Sequence, residues 1–221
     1  MSALFFGSIS TLADTSELQR RAFNEAFEAH GLDWNWSRDD YRAMLGSNGG
    51  KDRIAQYARD HNQDVDAGAV HETKSAVFQE LLSSAEVSAR PGVAETIQRA
   101  RKDGLRLGFV TTTSADNIRS LLSALAPEID SDSFDLIVDS SSVSAGKPDP
   151  EAYRYALDQL GEDAAHAVAI EDNAGGVQAA TAAGLTCIAF PNENTSGGDF
   201  TPAQTTVDAL RADDVVALVK S

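Results

Sequence analysis

The chain holds a single cysteine, Cys187, so no internal disulfide is possible and a reducing compartment suits it. Cys187 lies in the apolar run 185–190, where burial as a small hydrophobe is expected rather than reactivity. Lysine is nearly as scarce: only Lys51, Lys74, Lys102, Lys147 and Lys220 occur among 18 basic residues, against 34 acids, for a net charge of −16. A field of that sign repels phosphate backbones and anionic lipid surfaces, so neither nucleic acid nor membrane is expected as a partner. A small anion is not excluded, because one lysine with a few backbone amides can hold it locally. No apolar run approaches the ~18 residues needed to cross a bilayer. Nor is there a basic stretch, apolar run and small-residue cleavage site at the N-terminus, and a cytoplasmic protein is the expectation.

What is present divides into two regions. Over 16–86 the apolar residues recur at helical spacing, as in Leu18, Ala22, Phe23, Ala26 and Phe27, and again over 54–58 and 77–82. From Ala89 onward helices and short apolar strands alternate. Helices are expected at 91–102, 114–125, 150–160 and 175–183, with strands at 105–110, 134–138, 167–170 and 186–190. Strands separated by single helices imply a parallel sheet with right-handed crossovers, and the first strand, 3–6, belongs to it. The fold expected is a doubly wound α/β core of residues 1–15 and 88–221, with an α-helical cap of residues 16–87 inserted after the first strand. The polar run 192–199 reads as a surface loop.

In such sheets ligands bind at the carboxyl ends of the strands. Four loops converge there. Thr111-Thr112-Thr113-Ser114 opens a helix, serving as an N-cap or as an anion site built from hydroxyls and helix amides. Lys147 sits between Gly146 and Pro148 on a rigid turn, an exposed loop charge or a phosphate partner. Glu171 and Asp172 follow a buried strand, with Asp172 a helix N-cap or the pair carboxylates for Mg²⁺; beside Lys147 and Thr111 in one crevice, the metal reading is the better one. The remaining loop, Gly7-Ser8-Ile9-Ser10-Thr11-Leu12, offers no acid.

Thr111, Gly146-Lys147-Pro148 and Glu171-Asp172-Asn173, in this order behind alternating strands, resemble motifs two, three and four of the haloacid dehalogenase superfamily. The helical insertion resembles the cap of its β-phosphoglucomutase-like branch. Within that branch, Asn48-Gly49-Gly50-Lys51-Asp52-Arg53 and the segment 18–24 are similar to cap segments of sugar-bisphosphate phosphatases associated with the Calvin cycle. The resemblance implies phosphate binding by Thr111, Thr112 and Lys147, and sugar-phosphate binding by Lys51, Arg42 and Arg53. It implies Mg²⁺ at Glu171, Asp172 and the Ile9 backbone carbonyl.

The resemblance also implies a first motif, Asp-x-Asp-Gly-Thr-Leu, and here this chain departs from it. Gly7 stands at the nucleophile position and Ile9 at that of the general acid/base. Glycine cannot form an aspartyl-phosphate and isoleucine cannot carry a proton, and the Mg²⁺ site loses a carboxylate and is expected to be weakened. Gln19 stands where relatives tend to have histidine. The expectation is a monomeric family member of phosphatase or phosphomutase type, catalytically impaired, that binds phosphate or a small phosphorylated metabolite. The alternatives are an active Mg²⁺-dependent phosphatase using Asp14 as a substitute acid, and an interaction protein with a vestigial site.

Overall fold

The structure is a computed structural model that describes residues 2–45 and 49–220. Six parallel strands form one sheet in the order β3-β2-β1-β4-β5-β6. They are β1 (Ala3–Phe6), β2 (Arg106–Val110), β3 (Leu136–Val138), β4 (Ala167–Glu171), β5 (Thr186–Ala189) and β6 (Thr205–Thr206). Every residue of β1 is buried because the sheet is covered on both faces. Leu4 and Phe6 point into one core with α6 (Val93–Lys102), α7 (Ala115–Leu125) and α10 (Ala212–Val219); Ala3 and Phe5 point into another with α8 (Glu151–Leu160) and α9 (Ala174–Ala182). That two-sided burial is why β1 reads as a continuous apolar run rather than an alternating one. The fold is the expected doubly wound α/β core.

Between β1 and β2 the chain forms α1 (Ile9–Leu12), α2 (Ser16–Ala29), α3 (Arg38–Ala43), α4 (Gly50–Asp60) and α5 (Ala67–Ser84). Four of these carry an aromatic core of their own, in which Phe23, Phe27, Trp34, Trp36 and Tyr41 pack ring against ring. Helix α5 ties this insert to the sheet: Phe78 and Leu82 enter the core shared with α7, and Gln79 donates to the Asn117 side chain at 2.9 Å. Asn48, in the cap segment matched by sequence, lies outside the described residues.

Two expectations are corrected. Residues 9–12 form a helical turn capped by Ser8 rather than an open loop. The run 192–199 is not simply a surface loop, since Asn192, Asn194 and Thr195 are buried. Asn194 donates to Ser16 and Glu17 of α2 and accepts from Arg42 of α3, clasping the insert to the sheet. Helix α10 and the two-residue strand β6 were not anticipated. Among the described residues no helix is long and apolar enough to cross a membrane.

Candidate functional site

The chain leaves β1 toward β2 and β3 on one side, then returns to β4 on the other. The loops after β1 and β4 therefore flank the point where strand order reverses, the place where a crevice opens in such sheets. A cavity of about 770 Å³ lies there, between the strand ends and the helical insert.

Its floor is built from three strand ends. Gly7 continues the ladder, its N–H donating to Ile170 at 2.9 Å. The Lys147 ammonium donates to the carbonyls of Gly7 (2.5 Å) and Val110 (2.7 Å), to Glu171 Oε1 (2.6 Å) and to the Tyr153 hydroxyl (3.3 Å). Tyr153 donates to the same Glu171 oxygen at 2.8 Å. Among the described residues Glu171 Oε2 has no hydrogen-bond partner. Burial and the adjacent Asp172 push the Glu171 carboxyl up, while Lys147 pulls it back. Thr111, Thr112, Thr113 and Ser114 line the wall, and Ser114 caps α7 by accepting from the Asn117 N–H at 3.4 Å.

The roof is rich in basic side chains, with one acid, Glu72, among them. Lys51, Arg53, His71 and Lys74 all line the cavity from the insert. Arg53 donates to the Met44 carbonyl at 3.1 Å and lies over the rings of Phe23 and Tyr41. Lys74 donates to the Gln19 side chain and sits 4.9 Å from the ring centroids of both Phe23 and Phe78. Burial, with Arg53 nearby, lowers the Lys74 pKa to about 7. Burial and the neighbouring cations Lys74, Lys51 and Arg53 take His71 to about 4. Sequence reasoning missed both residues. The signal was a lysine on the stripe Val70, Lys74, Phe78, Leu82, where four-residue spacing reserves an apolar face.

The depressed Lys74 pKa has a measurable consequence. Between about pH 7 and pH 10.5 the unfolded chain carries a proton at Lys74 that the folded chain has released, so stability rises with pH across that window. Chemical denaturation of the parent and of Lys74→Met at both ends of the window is expected to show that part of the slope lost in the variant. Equal slopes would contradict it.

The other residues expected from sequence are placed differently. Arg42 is not among the described lining residues of the cavity; it is held by Glu193 (2.6 Å) and Asn194 (2.9 Å). Asp14 is exposed and likewise not in the lining, its carboxylate accepting from the Ser16 hydroxyl (2.6 Å) and backbone N–H at the start of α2.

The donor set expected for Mg²⁺ does not fit that ion. The Ile9 carbonyl already accepts from the Ala13 N–H at 3.1 Å within α1. Asp172 Oδ1 accepts from the Ser8 hydroxyl (2.5 Å) and the Asn173 amide (3.0 Å). Glu171 is fully buried against Lys147. Among the described residues no group of three or more His, Cys, Asp or Glu could hold a metal ion. Mg²⁺ calls for several carboxylate oxygens, and with position 7 bare and Glu171 enclosed, Asp172 is the carboxylate this floor presents to the cavity among the described residues.

A family model for haloacid dehalogenase-like hydrolases matches residues 10–190, starting just past Gly7 and Ile9. Protein CbbY of Rhodobacter capsulatus is 40% identical over 215 residues, covering 96% of this chain and 95% of that protein. A phosphorylated carbohydrates phosphatase of Thermotoga maritima is 30% identical, covering 84% of this chain and 82% of that protein. The crystal structure of a mutant CbbY from Rhodobacter sphaeroides in complex with xylulose-(1,5)bisphosphate superposes with a TM-score of 0.88 at 39% identity, covering 95% of this chain and 94% of that one.

Proposed function

Since this chain belongs to the haloacid dehalogenase-like hydrolase family, in its phosphatase branch, we propose that it binds a phosphorylated sugar in the cavity between sheet and insert without cleaving it. One observation carries this reading. The position at which the family's nucleophile is expected is Gly7, and the space a side chain there would enter is filled: an added Cβ would lie 2.2 Å from Glu171 Cδ and 2.4 Å from the Tyr153 hydroxyl. Gly7 offers no carboxylate at the position from which phosphorus would be attacked, and Ile9, 5% exposed, offers no proton to a leaving group. Asp14 has no place in the cavity lining from which to substitute.

The ligand class follows from the relatives and from the lining. A CbbY protein is seen with a sugar bisphosphate, and four basic side chains roof a hydroxyl-lined wall in this cavity. In a protein of net charge −16, a cluster of basic side chains in which Lys74 and His71 have their pKa values pushed down by burial and by neighbouring cations favours an anionic occupant. Family phosphatases generally use Mg²⁺; this floor supports no step through it.

The test is release of inorganic phosphate from a panel of sugar monophosphates, sugar bisphosphates and an aryl phosphate, with and without Mg²⁺, alongside calorimetric titration of the same compounds. Binding without release is the expected result. Mg²⁺-dependent hydrolysis by the parent chain would overturn the proposal.

A further inference from the structure

The sequence suggests Lys147 as a partner for a ligand's phosphate, and the structure gives it another occupation. We propose that the Lys147 ammonium is itself the resident cation of the crevice floor, held so completely by protein oxygens that neither a divalent ion nor a ligand's phosphate is needed there. Four oxygens surround Nζ, from Gly7, Val110, Tyr153 and Glu171, at 2.5 to 3.3 Å. An ammonium has only three protons, so its donor capacity is exhausted inward. The Lys147 side chain is 4% exposed and that of Glu171 not at all. This is the environment of a bound cation: two backbone carbonyls, a hydroxyl and a carboxylate, supplied by three neighbouring strand ends and α8.

The missing side chain at position 7 makes the cage possible. Glu171 lies between two glycines: an added Cβ would sit 2.2 Å from its carboxyl carbon at Gly7 and 2.1 Å from the same atom at Gly176. With both positions bare, the carboxyl group folds in, meets Lys147 and Tyr153, and is closed off from the cavity. A carboxylate at position 7 would occupy that volume, turn Glu171 outward and leave a cluster of acids in need of a multivalent partner. Loss of that acid and capture of Lys147 by Glu171 are thus one rearrangement, which exchanges an external cation for an internal one.

The experiment uses the full chain without any sugar phosphate, so a failure of sugar-phosphate binding, on which the functional reading above rests, would leave this test unaffected. Thermal unfolding of the parent in EDTA and in about 10 mM Mg²⁺ is expected to agree within ~1 °C, and calorimetry with Mg²⁺ should give no saturable heat. Lys147→Ala removes the cation and keeps its cage; its midpoint should fall by several degrees and recover on adding propylammonium or Mg²⁺, but not tetramethylammonium, which has no N–H to donate. A parent chain whose midpoint rises with Mg²⁺, with the rise lost in Glu171→Gln, would overturn the proposal. So would a folded Lys147→Ala protein indifferent to propylammonium and Mg²⁺ alike. Should Lys147→Ala not fold, Lys147→Met/Glu171→Gln decides: with both charges gone it is expected to fold and to ignore every cation, and a Mg²⁺ response retained there would place the ion elsewhere on the floor and refute the cage.

Discussion

Gly7→Asp/Ile9→Asp is expected to gain Mg²⁺-dependent phosphate release, by about 10³-fold or more over the parent chain on a sugar phosphate that the parent binds. The wall hydroxyls, the N-terminus of α7 and the basic side chains of the roof all remain in the variant, so only the two acids are supplied. The gain carries a structural condition. An aspartate at position 7 enters space held by the Glu171 carboxyl and the Tyr153 hydroxyl, both side-chain ends that can rotate away. The displaced Glu171, Asp172 and the new aspartate would then crowd one floor with a single ammonium between them, and like charges so close raise one another's pKa unless a cation intervenes. The variant should therefore be less stable than its parent in EDTA and regain stability with Mg²⁺, whereas the parent responds to neither. Turnover and a Mg²⁺-dependent unfolding midpoint should appear together. A folded, Mg²⁺-binding variant that still releases no phosphate would show that more than the two acids is missing.

The parts of this molecule that are legible in sequence are those governed by periodicity and by loop chemistry. Strand β1 is visible because burial on both faces demands an unbroken apolar run, and α7, α8 and α9 because each pairs a helical stripe with a recognisable cap or stop. Thr111, Lys147, Glu171 and Asp172 are visible as polar residues at strand ends, and the structure brings all four to the cavity or its floor. What sequence does not carry is which way a side chain turns. Lys147 and Glu171 are 24 positions apart, and nothing local says that each neutralises the other beneath the cavity. Arg42 is separated from Asn194 by 152 positions, and its capture by that loop is equally invisible. The burial of Asn192 and Asn194 is hidden for the opposite reason: a polar run rich in turn residues reads as solvated, although a turn in which Asn192 accepts from two backbone N–H groups can satisfy itself underground.

These two misplacements set the charge balance of the cavity and lead to the last expected result. With Lys147 spent on Glu171 and Arg42 spent on Glu193 and Asn194, the basic groups facing the cavity are those of the insert. Lys74 is the most deeply placed of the lysines there, and among the described residues its polar and aromatic partners are the Gln19 amide oxygen and the Phe23 and Phe78 rings, with no carboxylate in ion-pair distance. A bound phosphate would supply that carboxylate's role, and charge-assisted hydrogen bonds of this kind are worth about 1.5–3 kcal/mol. Lys74→Met, which keeps the apolar stem on the Phe23 and Phe78 rings, is therefore expected to weaken binding of a sugar phosphate by roughly 10- to 100-fold. Arg42→Ala removes an ion pair whose glutamate is mostly exposed and should change the same affinity by less than about fivefold. Titration of both variants with one sugar phosphate decides between them. If Arg42→Ala cost as much as Lys74→Met, the clasp between α3 and the 192–199 loop, rather than the roof, would be holding the ligand's charge.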